Sequence, residues 1–143
     1  MRKHLALVVC FGMVFALFAG VNAEAKKKKQ KVKTMPCIYT FYWPENSSME
    51  GGYLDCKGVP LNPSGYYVAA PENFKYGSHI TIKETGNWRD GHTYEVVDRG
   101  SRIVTFEGED GRTWCHIDIL VHDSSCAPKS GKLIGEIEFV EGK

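Results

Sequence analysis

The chain reads as an all-β domain, a small closed barrel of six to seven short strands with long loops. Three observations predict it. Apolar residues beyond position 35 fall in short runs rich in Val, Ile, Thr, Tyr and Phe, and no run carries a convincing helical period. Turn-forming Gly, Asn, Asp and Pro residues separate the runs. The length left after the N-terminal segment, about 110 residues, suits one domain, and a sandwich is the less favoured way to close so many strands.

In order, the runs are 38–43, 66–70, 79–83, 93–97, 102–106, 115–121 and 133–140. Alternation is clearest in His79-Ile80-Thr81-Ile82-Lys83 and Gly135-Glu136-Ile137-Glu138-Phe139-Val140, where successive side chains take opposite faces. At most one helical turn fits, near 124–129. The long 46–60 connection has several glycines and few branched aliphatics. Such loops often carry a binding surface, and an ordinary connector tied down through Cys56 would read the same way.

The first residues read as an export signal. Arg2-Lys3-His4 precede an apolar run from Leu5 to Ala19, and small residues follow up to Ala23. We therefore divide the chain into a signal peptide (1–23), a basic linker (24–36) and the barrel (37–143). The expected location is secreted, periplasmic or wall-associated, with no stable membrane insertion. Six lysines crowd 26–33, whereas from Met35 onward ten basic residues face sixteen acidic ones. A nucleic-acid binder carries its positive charge on the folded surface, so that class is disfavoured, and a monomer is expected.

Four cysteines follow the signal: Cys37, Cys56, Cys115 and Cys126. In an exported domain an even count argues for two disulfides, with three pairings open and a weak preference for Cys115 with Cys126, which flank one strand-and-loop unit. No Cys-x-x-Cys occurs and the spacings match no zinc template, so no metal or other cofactor is expected.

Two segments carry the chemistry. In Cys115-His116-Ile117-Asp118-Ile119, alternation sets His116 and Asp118 on the face opposite the isoleucines. In Val96-Val97-Asp98-Arg99-Gly100, a β-branched run ends on a carboxylate before a tight turn. Two carboxylates at strand ends suit acid chemistry on a polar substrate, although turn-capping Asp residues give the same pattern.

Taken in order, Tyr39-Thr40-Phe41-Tyr42, Gly58-Val59-Pro60-Leu61, Val68-Ala69-Ala70-Pro71, Phe74-Lys75-Tyr76-Gly77-Ser78-His79-Ile80, Asp98-Arg99-Gly100 and His116-Ile117-Asp118-Ile119 resemble a double-psi β-barrel of the three-aspartate ("3D") domain kind. The same order is similar to the rare lipoprotein A and expansin barrels. The resemblance implies an exported enzyme that cleaves the glycan strand of peptidoglycan, most readily a lytic transglycosylase. One carboxyl would protonate the leaving oxygen and then take the proton of the sugar's own 6-hydroxyl. Asp118 would be that acid/base and Asp98 its helper. Thr40, Tyr42 and Trp43 would border the cleft, and His116, on Asp118's face, would hydrogen-bond it or a sugar hydroxyl, or stand as a solvated strand histidine. Arg99 suits the polymer's carboxylates or, more commonly for a surface arginine, pairing with surface acids. The family's first acid falls on Ala70 here, with Glu72 two residues on as a candidate substitute. The alternatives are a hydrolase using the same two acids, and a non-catalytic expansin-like barrel that binds or loosens wall polysaccharide.

Overall fold

A computed structural model describes residues 31–45 and 52–140. The signal segment, most of the basic linker and the Asn46-Ser47-Ser48 stretch lie outside the described residues. Seven strands follow one another: β1 (Val32–Tyr42), β2 (Tyr67–Ala69), β3 (His79–Lys83), β4 (Thr93–Asp98), β5 (Thr105–Glu107), β6 (Thr113–Leu120) and β7 (Leu133–Val140), with one 3-10 turn at Ser124–Cys126. Six of them close into a barrel in the order β1-β7-β3-β4-β2-β6, sealed by pairing of β6 with β1. β5 is the extra strand, paired to the start of β6 through Phe106 opposite Trp114, whose rings stack.

The pairs β1–β6 and β2–β4 are parallel and the rest antiparallel. Exchanging β1 with β4, β2 with β6 and β3 with β7 leaves every barrel pairing and its sense unchanged. The barrel therefore has the pairing pattern of a two-fold object built from two three-strand halves.

The core follows from the period-two pattern. Cys37, Tyr39 and Phe41 of β1, Ile80 and Ile82 of β3, Tyr94 and Val96 of β4, and Cys115, Ile117 and Ile119 of β6 all turn inward. Fully buried Tyr39 keeps its hydroxyl satisfied by donating to the Glu136 carbonyl at 2.6 Å. Tyr42, Ala69, Ile103 and Leu120 form a second, smaller cluster, joined by Leu61 and Tyr67. It lies under the loop that crosses the outer face of β1, β2 and β6.

β1 starts six residues before the expected run, inside the segment read as linker, because β7 pairs with it from Val32 opposite Val140. Pro36 is tolerated there because β6 pairing begins only at Cys37, so the proline has one neighbouring strand. The expected 102–106 strand shrinks to Thr105–Glu107.

No two of the cysteines among the described residues stand at disulfide distance. Strand alternation turns Cys115 into the barrel, beside its register partner Cys37, while Cys126 is exposed on the 3-10 turn. The favoured Cys115–Cys126 bridge is thus absent. Burial, reinforced by neighbouring Cys115, pushes the Cys37 thiol far up and keeps it protonated.

Candidate active site

A cavity of about 410 Å³ opens on the outer face, at the end of β4 and beside β1, β2 and β6. Asp98 and Asp118 both line it, with Tyr42, Ala69 and Ile103 as its inner wall and Leu54, Asp55, Cys56 and Leu61 from the covering loop. The two carboxylates owe their placement to register. Ala69 pairs with Asp118 on one side, and a slip in the β2–β4 ladder that skips Val97 pairs it with Asp98 on the other. Two strand spacings separate the acids, roughly 10 Å between Cα atoms. Their side chains then converge on one space over a residue that carries only a methyl group.

Asp98 is the more deeply set, 7% exposed. Its Oδ1 accepts the backbone N–H groups of Cys56 and Arg99, each at 2.8 Å. The Cys56 donor is delivered by a turn built around Asp55, whose own Oδ1 accepts from the N–H groups of Lys57 and Val59. Gly58 closes that turn at φ +79°, a conformation that favours glycine. A clamp outside holds the loop down: Lys57 and Arg99 both sit over the Tyr76 ring, at 3.3 and 4.0 Å.

Arg99 lines the cavity wall, but its guanidinium is directed elsewhere. It donates to the carbonyls of Ala70 (3.0 Å), Asp98 (3.1 Å) and Phe74. The arginine thus ties the β4 turn to the chain that follows β2. Gly100 completes the turn, and a Cβ there would lie 2.8 Å from Ile103 Cγ1.

Asp118 belongs to a second network. Thr40 Oγ1 donates to Asp118 Oδ1 at 2.8 Å and lies 2.8 Å from His116 Nε2, while His116 Nδ1 is 2.9 Å from the Arg102 carbonyl. The β1–β6 register, with Thr40 opposite Asp118 and His116 two residues back on the same face, brings the three together. Tyr42, two residues beyond Thr40, turns the same way into the cavity. Its hydroxyl is buried without a hydrogen-bond partner. Burial foremost, then the charges of Asp98 and Asp118, hold that phenol well above its usual range. Of the two carboxylates Asp98 acts on it more strongly.

Of the residues singled out in the sequence, Asp98, Asp118, Tyr42 and Arg99 line one cavity, and Thr40 and His116 stand directly behind Asp118. Trp43 does not join them; it packs partly on the barrel core and its Nε1 donates to Glu45 at 2.6 Å. Ala70, where the resembled family has its first acid, points into the core. Glu72 lines a neighbouring depression with Pro71 and Asn73 rather than this cavity. Asp55 and the Cys56 N–H, unremarked in the sequence, supply the third carboxylate on the wall and the donor that fixes Asp98. Among the described residues no three His, Cys, Asp or Glu side chains are grouped to hold a metal ion. No helix among them is long and apolar enough to cross a membrane. Comparison with protein-family models and with curated proteins gave no match for this chain.

Proposed function

We propose that the cavity binds a glycan strand of peptidoglycan and that the protein cleaves it as an exported lytic transglycosylase. The carrying observation is the convergence of Asp98 and Asp118 on one cavity across Ala69. A space of about 410 Å³ lies within the usual range of small-ligand sites. Asp118, reached by the Thr40 hydroxyl, is the acid that protonates the leaving oxygen and the base that then takes the 6-hydroxyl proton. Asp98, held by two N–H groups, is the fixed carboxylate that faces the developing oxocarbenium-like charge. The unpartnered Tyr42 hydroxyl is left for a sugar hydroxyl to satisfy.

The two-fold pairing pattern of the barrel, together with the ordered motifs, supports a double-psi barrel of the 3D, rare lipoprotein A and expansin kind. For the exported form we place one disulfide across the seam, between Cys37 and Cys115. As register partners on adjacent strands their Cα atoms fall in the span a disulfide requires.

Two observations favour the non-catalytic alternative. Asp98 spends Oδ1 on a structural role, and the family's first acid is replaced by a core alanine. Incubation with purified murein sacculi separates the readings. Soluble fragments ending in an anhydro sugar support the transglycosylase, reducing ends a hydrolase, and retention on sacculi without release an expansin-like binder.

A further inference from the structure

We propose that His116, Thr40 and Asp118 form a proton-storage chain, in which His116 supplies through the Thr40 hydroxyl the proton that Asp118 must carry. This rests on Asp118 being the acid of the cavity. A carbonyl oxygen only accepts, so the 2.9 Å contact with the Arg102 carbonyl puts a proton on His116 Nδ1. Threonine has a single hydroxyl proton, yet Thr40 Oγ1 lies 2.8 Å from both His116 Nε2 and Asp118 Oδ1. That proton serves one contact, and the other must be served by a proton from the partner.

Two arrangements meet this condition. With Thr40 donating to Asp118, Nε2 carries a proton, and an imidazolium faces a carboxylate through the hydroxyl. With Thr40 donating to His116, Asp118 is the neutral acid and the imidazole is neutral. Both contain the same number of protons and differ by two short transfers, Nε2 to Oγ1 and Oγ1 to Oδ1. Removing the shared proton leaves two acceptors for one donor, so one of the 2.8 Å contacts must open.

A glycan entering the cavity displaces water from Asp118, and desolvation disfavours the charge-separated arrangement against the neutral one. Binding thereby arms the acid. After Asp118 has protonated the leaving oxygen it takes the 6-hydroxyl proton, and the chain returns to its starting count with none consumed.

The other ionisable groups on the cavity are Asp55, Asp98, Arg99, the Cys56 thiol and the Tyr42 phenol. On the His116 side, β1 presents Ile38 and Thr40, and the segment before β5 presents the Arg102 and Val104 carbonyls. None of these is altered by changing Thr40 alone.

The test follows the His116 ring nitrogens by NMR in the 15N-labelled protein across pH, in the wild type, Thr40→Val, Thr40→Ser and Asp118→Asn. In the wild type the neutral ring keeps its proton on Nδ1. Its protonation constant falls about tenfold in Thr40→Val and in Asp118→Asn, a shift of one pH unit, and Thr40→Ser restores it. A threonine with a merely structural role would leave that titration unmoved. Equal titration in the wild type and Asp118→Asn, or a neutral ring protonated on Nε2, overturns the proposal, and this comparison stands even if Thr40→Val fails to fold. The readout needs no substrate. Coupled titration without glycan release would sink the proposed function and leave the chain intact, whereas release without coupling would do the reverse.

Discussion

Asp98 and Asp118 meet across a single alanine, because Ala69 is the register partner of both. No turn or loop places them; the ladder does, with one slip that skips Val97. The first consequence is mechanical. Asp98 holds two N–H groups, those of Cys56 and Arg99, that have no other acceptor described for them. Asp98→Ala orphans both and should destabilise the fold by about 2 kcal/mol, the low end of about 1–3 kcal/mol for each of two part-buried groups. Asp98→Asn keeps an acceptor oxygen and should cost about 1 kcal/mol or less. Denaturant melts of the two variants check the ordering.

Tyr42 tests the cavity from its wall. Its hydroxyl makes no hydrogen bond of standard geometry, so Tyr42→Phe removes a buried polar atom at little cost to the free protein. Stability should be unchanged or higher by up to about 1 kcal/mol. Affinity for glycan should fall, measured as retention on sacculi. A loss of stability instead would mean that the hydroxyl is satisfied within the fold.

The cysteines give a covalent prediction. Protein recovered from an oxidising compartment should carry one bridge, Cys37–Cys115, found by peptide mapping without reduction. On the chain-entropy picture a bridge over so long a loop contributes about 4 kcal/mol. Because burial keeps the Cys37 thiol protonated, the bridge should form during folding and only slowly in the native, reduced protein. Native alkylation of reduced protein should label exposed Cys56 and Cys126 alone. A Cys115–Cys126 bridge would contradict this reading.

Asp110 sets an acid limit on the β5–β6 hairpin. The Trp114 indole N–H foremost, then the Arg112 side chain and backbone, lower its pKa from 3.8 to about 2. A depressed folded-state pKa stabilises the fold fully above the unfolded value, and the contribution is lost as pH falls through the folded one. The hairpin should therefore loosen between about pH 4 and pH 2, seen as a change in Trp114 fluorescence. Asp110→Asn should remove that step.

Much of this architecture was legible in the chain because the period-two pattern is local. The strands 79–83 and 133–140 appear with the bounds their alternation predicts, and the helical turn falls where it was expected. What depends on partners was not legible. β1 reaches back to Val32 because β7 lies alongside it, and nothing in a lysine-rich stretch announces that. Cys115 meets Cys37 rather than Cys126 through a parallel pairing that is remote in sequence.

The candidate site divides in the same way. Asp98 and Asp118 stand out as carboxylates ending or punctuating β-branched runs, but their common neighbour Ala69 is visible only in the ladder. Arg99 reads in the sequence as a substrate ligand or a surface ion-pair partner, whereas its donors close onto three carbonyls from its own fold. In the sequence Thr40 reads only as a cleft residue. Its contacts with His116 and Asp118, 76 and 78 residues away, depend on β1 and β6 running parallel.

The most direct measurement is digestion of purified sacculi by the wild-type protein and by Asp118→Asn, with the soluble products weighed by mass spectrometry. A proton-donating carboxyl on β6 predicts anhydro-ended fragments from the wild type and none from the variant, whose fold should stay within about 1 kcal/mol. Undiminished release by Asp118→Asn, or none by the folded wild type, would contradict it.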